Sequence, residues 1–472
     1  MKIDIPAVIP PANELGHVFF IGIGGAGLSA IARLMYESGI TVSGSDATET
    51  KVVTSLRAEG MTCFVGHDAR HIVGVDTVIA STAVREDNPE IVEALRLGLR
   101  LWPRSAGLQS VLAGHRTIAV AGTHGKTTTT AMLTSALRMA GASPSFAIGA
   151  EVEGLGTNAR LGRGDLFIAE ADESDGAFLV YTPAGAIVTN VDADHLDNYG
   201  TVEAYDAAFA EFVTHIDDFL VLCADDPGAA ALAEGARAQG LHVILAGFGE
   251  NAGLRGVDLT INGSHTGFTV MRHRTELGRV ELQVPGRHYA QDALLALGAG
   301  LVSGFSFADL AAGLAQHRGA RRRMELLGNA GGVRVYDSYA HHPTEIRGDI
   351  AAARGVAADS RLVVAFQPHL VSRTRVYGEA MGIELSAADL VVVADIYLAR
   401  EDPDPAVTTR LIIDSVSGPP VIDGGSVAEL DGVLLPLLEP GDVLLTLGAG
   451  DITTVGAKIL ARLAAGEYVA DD

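Results

Sequence analysis

The segment Gly122-Thr123-His124-Gly125-Lys126-Thr127-Thr128 constrains this chain more than any other. It follows a short apolar run, Ile118-Ala119-Val120, and precedes a helical stretch from Thr129 to Ala140. Strand, glycine loop and helix in that order make a phosphate-binding loop. The glycines let backbone N–H groups approach phosphate oxygens with no Cβ in the way. The helix N-terminus adds positive partial charge. Lys126 then reaches the outer phosphates of a nucleoside triphosphate, and the Thr127 hydroxyl is a ligand for Mg²⁺. Gly122 stands only three residues before Gly125, so the loop is shorter than the general ATPase form. Composition strengthens the assignment. Of 34 basic side chains only four are lysines (Lys2, Lys51, Lys126 and Lys458), so a lysine in this place is not surface decoration.

Acidic residues follow core strands downstream. Glu170-Ala171-Asp172-Glu173-Ser174-Asp175 comes directly after Leu166-Phe167-Ile168, and Thr189-Asn190-Val191-Asp192-Ala193-Asp194-His195 comes after Ala186-Ile187-Val188. The carboxyl ends of strands in an open parallel sheet face the ligand crevice. Carboxylates and a histidine near a triphosphate suit Mg²⁺ ligation. A second glycine loop, Gly22-Ile23-Gly24-Gly25-Ala26-Gly27, lies between the apolar run His17 to Ile23 and the helical pattern Leu28 to Ser38, with Asp46 beyond the next strand. Alone it reads as a dinucleotide fingerprint with the acid on a ribose, although any nucleotide diphosphate uses the same geometry.

With 472 residues and about 150 per domain, the chain has room for three domains. The strand pattern divides at 1–111, 112–319 and 320–472. The first division carries strands at His17 to Ile23, Thr41 to Ser43 and Asp76 to Ala80. In the second, Phe219 to Cys223 and Val243 to Leu245 continue the buried series. Leu259 to Val284 then alternates more openly, with a turn expected at Asn262-Gly263 before the apolar helix Ala290 to Leu301. The third division has strands at Val333 to Tyr336, Leu362 to Phe366, Leu390 to Ala394 and Val443 to Leu447. Strand–helix–strand alternation predicts α/β architecture in all three, each built on a mostly parallel sheet with flanking helices. The expected domains are a Rossmann-like N-terminal domain, a P-loop-type central ATPase domain and a Rossmann-like C-terminal domain.

Other function classes are disfavoured. A hydrophobic fraction of 48% excludes global disorder, and a formal charge of −24 argues against a nucleic-acid-binding face. No apolar run of about 18 residues is present, so no membrane span is expected. Met1 to Glu14 shows no signal-peptide pattern, and Cys63 and Cys223 read as free thiols. These features fit a cytoplasmic protein, monomeric or homodimeric.

Eight segments now form a set: Gly22 to Ser29, Ser43 to Asp46, Gly122 to Thr129, Glu170 to Asp175, Thr189 to Tyr199, Tyr339 to Glu345, Phe366 to Thr374 and Gly448 to Ile452. Together they resemble the Mur ligases, the ATP-dependent amide-forming enzymes of peptidoglycan synthesis, from about His17 to Leu460. They are most similar to the branch that joins L-alanine to the lactyl carboxylate of UDP-N-acetylmuramate. The resemblance implies that Gly24, Gly25, Ala26, Gly27, Ser45, Asp46, His67, Ser81 and His124 hold the UDP-sugar. It implies that Gly122, Thr123, Gly125, Lys126, Thr127, Thr128, His288, Tyr289, Asp292, Arg323 and Asp337 contact ATP. Tyr339, His369 and Arg373 become the L-alanine pocket; His369 and Arg373 share one face if their segment is helical. Two Mg²⁺ sites are implied, Thr127 and Glu170 at one and His195 at the other, with Lys126, His124, Glu170, His195 and Arg323 as the catalytic set. Domain closure around the substrates is also implied.

The sequence departs from the family pattern in three places. Gly286-Arg287-His288-Tyr289-Ala290-Gln291-Asp292-Ala293 places Tyr289 and Asp292 where the family has two adenine-recognising asparagines. Ser338 replaces the second aspartate of the family's Asp-Asp-Tyr. Between Lys126 and Lys458 there is no lysine to carbamylate, in accord with the alanine-adding branch; Glu211 is a candidate substitute. Three alternatives stay open: the branch that attaches a preformed peptide, an NAD-dependent oxidoreductase resting on Asp46, and a non-catalytic nucleotide-binding regulator.

Overall fold

A computed structural model describes residues 3–81, 84–174, 176–399 and 401–467. Asp175, the last acid of the cluster singled out above, and Lys2 lie outside the described residues. The chain divides into two compact units. The first comprises Met1–Arg255, Met271–Gly278 and Asp292–Leu314, and the second Gly256–Val270, Arg279–Gln291 and Ala315–Asp472.

The first unit opens with strands β1 (Val18–Ile21), β2 (Val42–Asp46), β3 (Thr62–Val65), β4 (Thr77–Ala80) and β5 (Arg100–Pro103). They pair in the order β3-β2-β1-β4-β5, every pair parallel. Buried Phe19, Ile21, Val78 and Ala80 pack against Ile91 and Ala94 of the helix Pro89–Leu97. The same unit then holds β6 (Arg116–Ala121), β7 (Ser145–Ala147), β8 (Ala159–Arg160), β9 (Leu166–Glu170), β10 (Gly185–Val188), β11 (Phe219–Cys223) and β12 (His242–Gly247). Their order is β12-β11-β10-β6-β9-β7-β8, with only β7 and β8 antiparallel.

Strands β6, β10 and β11 are buried along nearly their whole length, and their continuous apolar runs are the sequence sign of a sheet covered on both faces. Phe178, Tyr205, Phe209 and Phe212 pack ring on ring, with centroids 4.9–5.3 Å apart, under the helix Val202–Val213.

A meander of β13 (Leu254–Asn262), β14 (His265–Arg272) and β15 (Thr275–Leu282) follows, its residues shared between the units. The turn at Asn262-Gly263 forms as expected, with Gly263 at φ +60°. The expected apolar helix spans Arg287–Val302.

The second unit is built on β16 (Glu325–Ala330), β17 (Val333–Ser338), β18 (Leu362–Phe366), β19 (Leu390–Ala394), β20 (Val421–Gly425) and β21 (Val443–Leu447). Their order is β16-β17-β21-β18-β19-β20, and only the edge strand β16 runs antiparallel. Apolar residues of the helix Thr453–Ala464 cover one face through Val455, Ile459 and Leu463.

In the second unit, His317 is 1% exposed and neither ring nitrogen has a hydrogen-bond partner. Burial disfavours the imidazolium and lowers its pKa from 6.5 to about 4. The unfolded chain therefore binds more protons than the folded one between these values. Urea unfolding followed against pH should show stability lost as pH falls from about 6.5 towards about 4, and His317→Leu should flatten that slope.

Candidate active site

Each glycine loop sits at the carboxyl end of a central strand. In the N-terminal sheet β1 lies between β2 and β4, so the loop after β1 meets Asp46 at the end of β2, His67 beyond β3 and Ser81 after β4. Gly24 N donates to Asp46 Oδ2 at 2.9 Å, so Asp46 braces the loop itself. A Cβ on Gly24 would lie 2.8 Å from that oxygen. Gly25 caps the helix Ala26–Glu37, and Gly27 is packed against Arg104, its imagined Cβ 2.9 Å from Arg104 Cδ.

Sequence reasoning missed Glu90, which organises this pocket. Its carboxylate is fully buried and accepts Ser45 Oγ at 2.7 Å, His67 Nδ1 at 2.9 Å and His71 Nδ1 at 2.8 Å. A carboxylate accepts only, so each of these ring nitrogens carries a proton and His67 presents Nε2 away from Glu90. Phe64 stacks on His71 at 4.0 Å and fixes that ring. The only clue in the sequence was Asn88-Pro89-Glu90, a helix start whose acid reads as a solvated first-turn residue.

The central loop is held more tightly. Gly125 adopts φ +80° and starts the helix Lys126–Met139. The run of four threonines, poor helix formers, is accommodated partly because Thr130 donates back to Lys126 O at 2.7 Å. Because β6 lies between β9 and β10, Glu170 and the segment Thr189–His195 arrive beside the loop. Lys126 Nζ donates to Gly122 O at 2.7 Å and Thr123 O at 2.9 Å, and pairs with Glu173 Oε2 at 2.7 Å. Burial opposes the lysine's charge, but Glu173, Asp172 and Glu170 more than offset it and raise its pKa. Burial also pushes the Glu173 carboxyl up to about 7, against the pull of Lys126 and with help from Asp172.

Asp172 is held well below the carboxylate range. Burial alone would raise it, but Arg104, at 2.6 Å, and Lys126 reverse the effect. Arg104 thus touches the first glycine loop and the acid cluster at once. His124 N donates to Asn190 Oδ1 at 2.8 Å and its Nε2 lies 3.1 Å from Asp192 Oδ2. Thr123 Oγ1 meets Tyr205 Oη at 2.8 Å, and Thr128 is 5% exposed on the first turn of the helix. Asp292 is buried against this loop, since a Cβ on Gly125 would lie 2.7 Å from Asp292 Oδ1.

The residues expected at Mg²⁺ offer a hydroxyl, a carboxylate and an imidazole. Thr127 Oγ1 donates to Glu170 Oε1 at 3.0 Å. His195, at φ +52°, holds Nε2 3.7 Å from Glu173 Oε1 and 3.6 Å from Asp194 Oδ2. Hydroxyl and carboxylate oxygens match the preference of that ion, and the imidazole nitrogen is a softer donor beside them. Glu211, the candidate substitute for a carbamylated lysine, is exposed on the helix Val202–Val213.

In the second unit the residues after β17, β18 and β21 converge at one sheet edge, as their pairing requires. Asp337 accepts Thr446 Oγ1 at 2.7 Å, Thr453 Oγ1 at 2.8 Å and Arg322 Nε at 3.3 Å. Arg323 and Asp337 were each expected at ATP; the arginine bound to Asp337 is its neighbour Arg322, which also donates to Gly448 O at 2.5 Å. Both guanidiniums lie over Tyr339, at 4.8 Å for Arg322 and 5.3 Å for Arg323.

His369 corrects the expected helical pairing. It precedes the helix Val371–Leu385 and forms a parallel bridge with Tyr397, because Leu370 at φ +71° turns the chain before the helix begins. The two side chains still meet: Arg373 Nη1 lies 3.2 Å from His369 Nδ1. Arginine has no acceptor, so Nδ1 accepts and a neutral His369 carries its proton on Nε2. Arg373 is 7% exposed, not a solvated arginine. Tyr289 is 2% exposed and packs on His288 at 4.1 Å.

Three family models match successive parts of the chain. Residues 17–116 match the Mur ligase family, catalytic domain; residues 120–300 the Mur ligase middle domain; residues 322–450 the Mur ligase, glutamate ligase domain. The UDP-N-acetylmuramate–L-alanine ligase of Nocardioides sp. (strain ATCC BAA-499 / JS614) is 56% identical over 468 residues, spanning 98% of this chain and 100% of that protein. The chain belongs to the Mur ligase family.

Other members are similar along their whole length. The ligase of the same name from Thermobifida fusca (strain YX) is 45% identical, over 98% of this chain and 100% of that one. Among solved Mur ligases, the UDP-N-acetylmuramate–alanine ligase of Thermotoga maritima superposes with a TM-score of 0.81 at 29% identity, covering 96% of this chain and 100% of that one. A murein peptide ligase from Psychrobacter arcticus 273-4 superposes with a TM-score of 0.70 at 25% identity, covering 97% and 100%.

Gly125 in this Mur ligase has two reasons to be glycine, its left-handed backbone and Asp292 beside it. Gly125→Ala should lower stability by about 1–2 kcal/mol from the backbone alone and weaken MgATP binding further. Thermal unfolding with and without MgATP measures both effects.

Proposed function

We propose that this chain is the ATP-dependent ligase that joins L-alanine to the lactyl carboxylate of UDP-N-acetylmuramate, the first peptide-stem step of peptidoglycan precursor synthesis. The observation that carries this reading is full-length similarity to curated ligases of that activity, 56% in one case over 98% of this chain. The glycine loop after β1, with Ser45, Asp46, His67 and Ser81, is the UDP-sugar site, and His124 faces the muramyl group. Glu90 holds Ser45 and His67 in place for it. The loop Gly122–Thr128 binds the ATP phosphates, and Tyr339, His369 and Arg373 bind L-alanine. His288, Tyr289, Asp292, Arg323 and Asp337 complete the ATP site. This three-part division follows the boundaries 1–111, 112–319 and 320–472.

The lactyl carboxylate attacks the γ-phosphorus, ADP leaves, and an acyl phosphate results. The amine of L-alanine then adds to the acyl carbon, and inorganic phosphate departs as the amide forms. Two anions must meet in the first step, so fixed positive charge is the main requirement. Lys126 supplies it by exchanging its loop carbonyls for phosphate oxygens, while buried Glu173 steadies the ammonium. Arg323 supplies a second positive charge. His369, with its proton on Nε2, and buried Arg373 present donors that suit the carboxylate of a small amino acid. Thr127 and Glu170 would hold one Mg²⁺ and His195 a second, and such ions neutralise phosphate charge.

Phosphate release measured over a panel of amino acids and L-Ala-D-Glu-diaminopimelate should be fastest with L-alanine. A faster rate with the tripeptide would instead identify the peptide-attaching branch. Lys126→Ala should reduce kcat by at least about 10²–10³-fold, while calorimetric binding of UDP-N-acetylmuramate stays nearly unchanged. Lys126→Ala/Glu173→Gln is the folding control, because the single change strands a buried carboxylate.

Tyr289 and Asp292 lead to a second expectation. Asp292 offers acceptors only, so adenine's ring nitrogens lose the donor that asparagine supplies. The ratio of kcat/KM for ATP over GTP should fall below about 10², and Asp292→Asn should raise it.

A further inference from the structure

Asp349 lies outside every site assignment above, yet it is buried beside several of them. It sits on the helix Pro343–Ala357, whose start is fixed by a capping box between His342 and Glu345. The Ser338 hydroxyl donates to Asp349 Oδ2. His288 Nε2 lies 3.5 Å from Asp349 Oδ1, and that nitrogen is buried with no hydrogen-bond partner. Arg323 is close enough to pull on the charge of Asp349. One carboxylate therefore lies beside His288, a residue expected at ATP, and beside the serine that stands where the family pattern carries an aspartate, and it feels the charge of Arg323, also expected at ATP.

We propose that Asp349 supplies, from the helix side, the carboxylate that position 338 lacks, and that it positions His288 and Arg323 for ATP. The inference rests on the reading of those two residues as ATP contacts. Residues 338 and 349 touch, so a carboxylate at position 338 would lie one hydrogen bond from the place that Asp349 Oδ2 fills. Two carboxylates there would repel at hydrogen-bond distance, whereas a hydroxyl facing a carboxylate forms a bond. A buried carboxylate is also costly unless it is partnered, which argues for use rather than accident. Burial pushes Asp349 up to about 7, opposed by Ser338 and Arg323 and reinforced by Glu345.

The test is an exchange experiment on the full chain, with KM for ATP from phosphate release at saturating UDP-N-acetylmuramate and L-alanine, and Kd for MgATP from calorimetry. Asp349→Ser should raise KM and Kd for ATP about tenfold, the loss expected for one charged contact, with KM for L-alanine unchanged. Adding Ser338→Asp to it should return both constants to within about threefold of the wild type. Ser338→Asp alone, with two carboxylates, should impair ATP binding and lower Tm. The inference is overturned if Asp349→Ser leaves KM for ATP within twofold, or if the double variant binds ATP no better than Asp349→Ser. Arg323→Met separates the two levels. If it raises KM for ATP while Asp349→Ser does not, only this inference fails. If neither moves KM for ATP, the assignment of Arg323 to the ATP site fails with it.

Discussion

An ammonium cannot be buried without anions to meet it, and the architecture around Lys126 follows from that requirement. Its partner Glu173 is fully buried, and loss of either member of a pair this deep leaves a buried group without its counter-charge. Glu173 is in turn held by its surroundings, since Tyr199 donates to its backbone carbonyl and His195 approaches its carboxylate. Asp172 next to it is balanced by Arg104, which also packs on the first glycine loop. A single charge at the phosphate loop therefore extends, through two ion pairs, to the sheet that carries the other glycine loop. Arg33, reaching Asn158 at 2.8 Å, and Asn158, donating to Ala26 O at 2.8 Å, reinforce the same junction.

Parallel pairing does the remaining positioning. When neighbouring strands run the same way, their carboxyl ends share one edge, and the loops leaving them come together whatever their separation in sequence. Gly22, Asp46, His67 and Ser81 meet for this reason, as do Gly122, Glu170 and His195, and Tyr339, His369 and Gly448. Antiparallel neighbours lie towards the sheet margins, as β8 beside β7 and β16 beside β17 do.

Strands with unbroken apolar runs were legible because burial on both faces leaves no polar position to confuse the pattern; Ile118–Val120, Phe219–Cys223 and Val443–Leu447 are of this kind. Strands β3, β5, β7, β8, β16 and β20 were not read. They are short, or they mix exposed and buried positions, as in Thr62-Cys63-Phe64-Val65 and Val421-Ile422-Asp423-Gly424-Gly425. In the candidate site, glycines, the lysine and the acid clusters were visible because their spacing is local. Glu90 was not, because a buried acid and an exposed one look alike until His67, His71 and Ser45 close around it.

The sequence by itself determined the α/β class, both glycine loops, the acids that follow strands β9 and β10, and membership in the Mur ligase family. All of these depend on residue type at short range, where chain connectivity sets the geometry. Only the tertiary structure decided which acid meets Lys126, that Arg322 binds Asp337, that His369 stands before its helix, and that Ser338 bonds Asp349. Those pairings join residues distant in sequence or depend on a backbone turn such as Leu370. They are fixed by which strands adjoin and by the cost of leaving a buried charge unpaired, neither of which is written in any single segment.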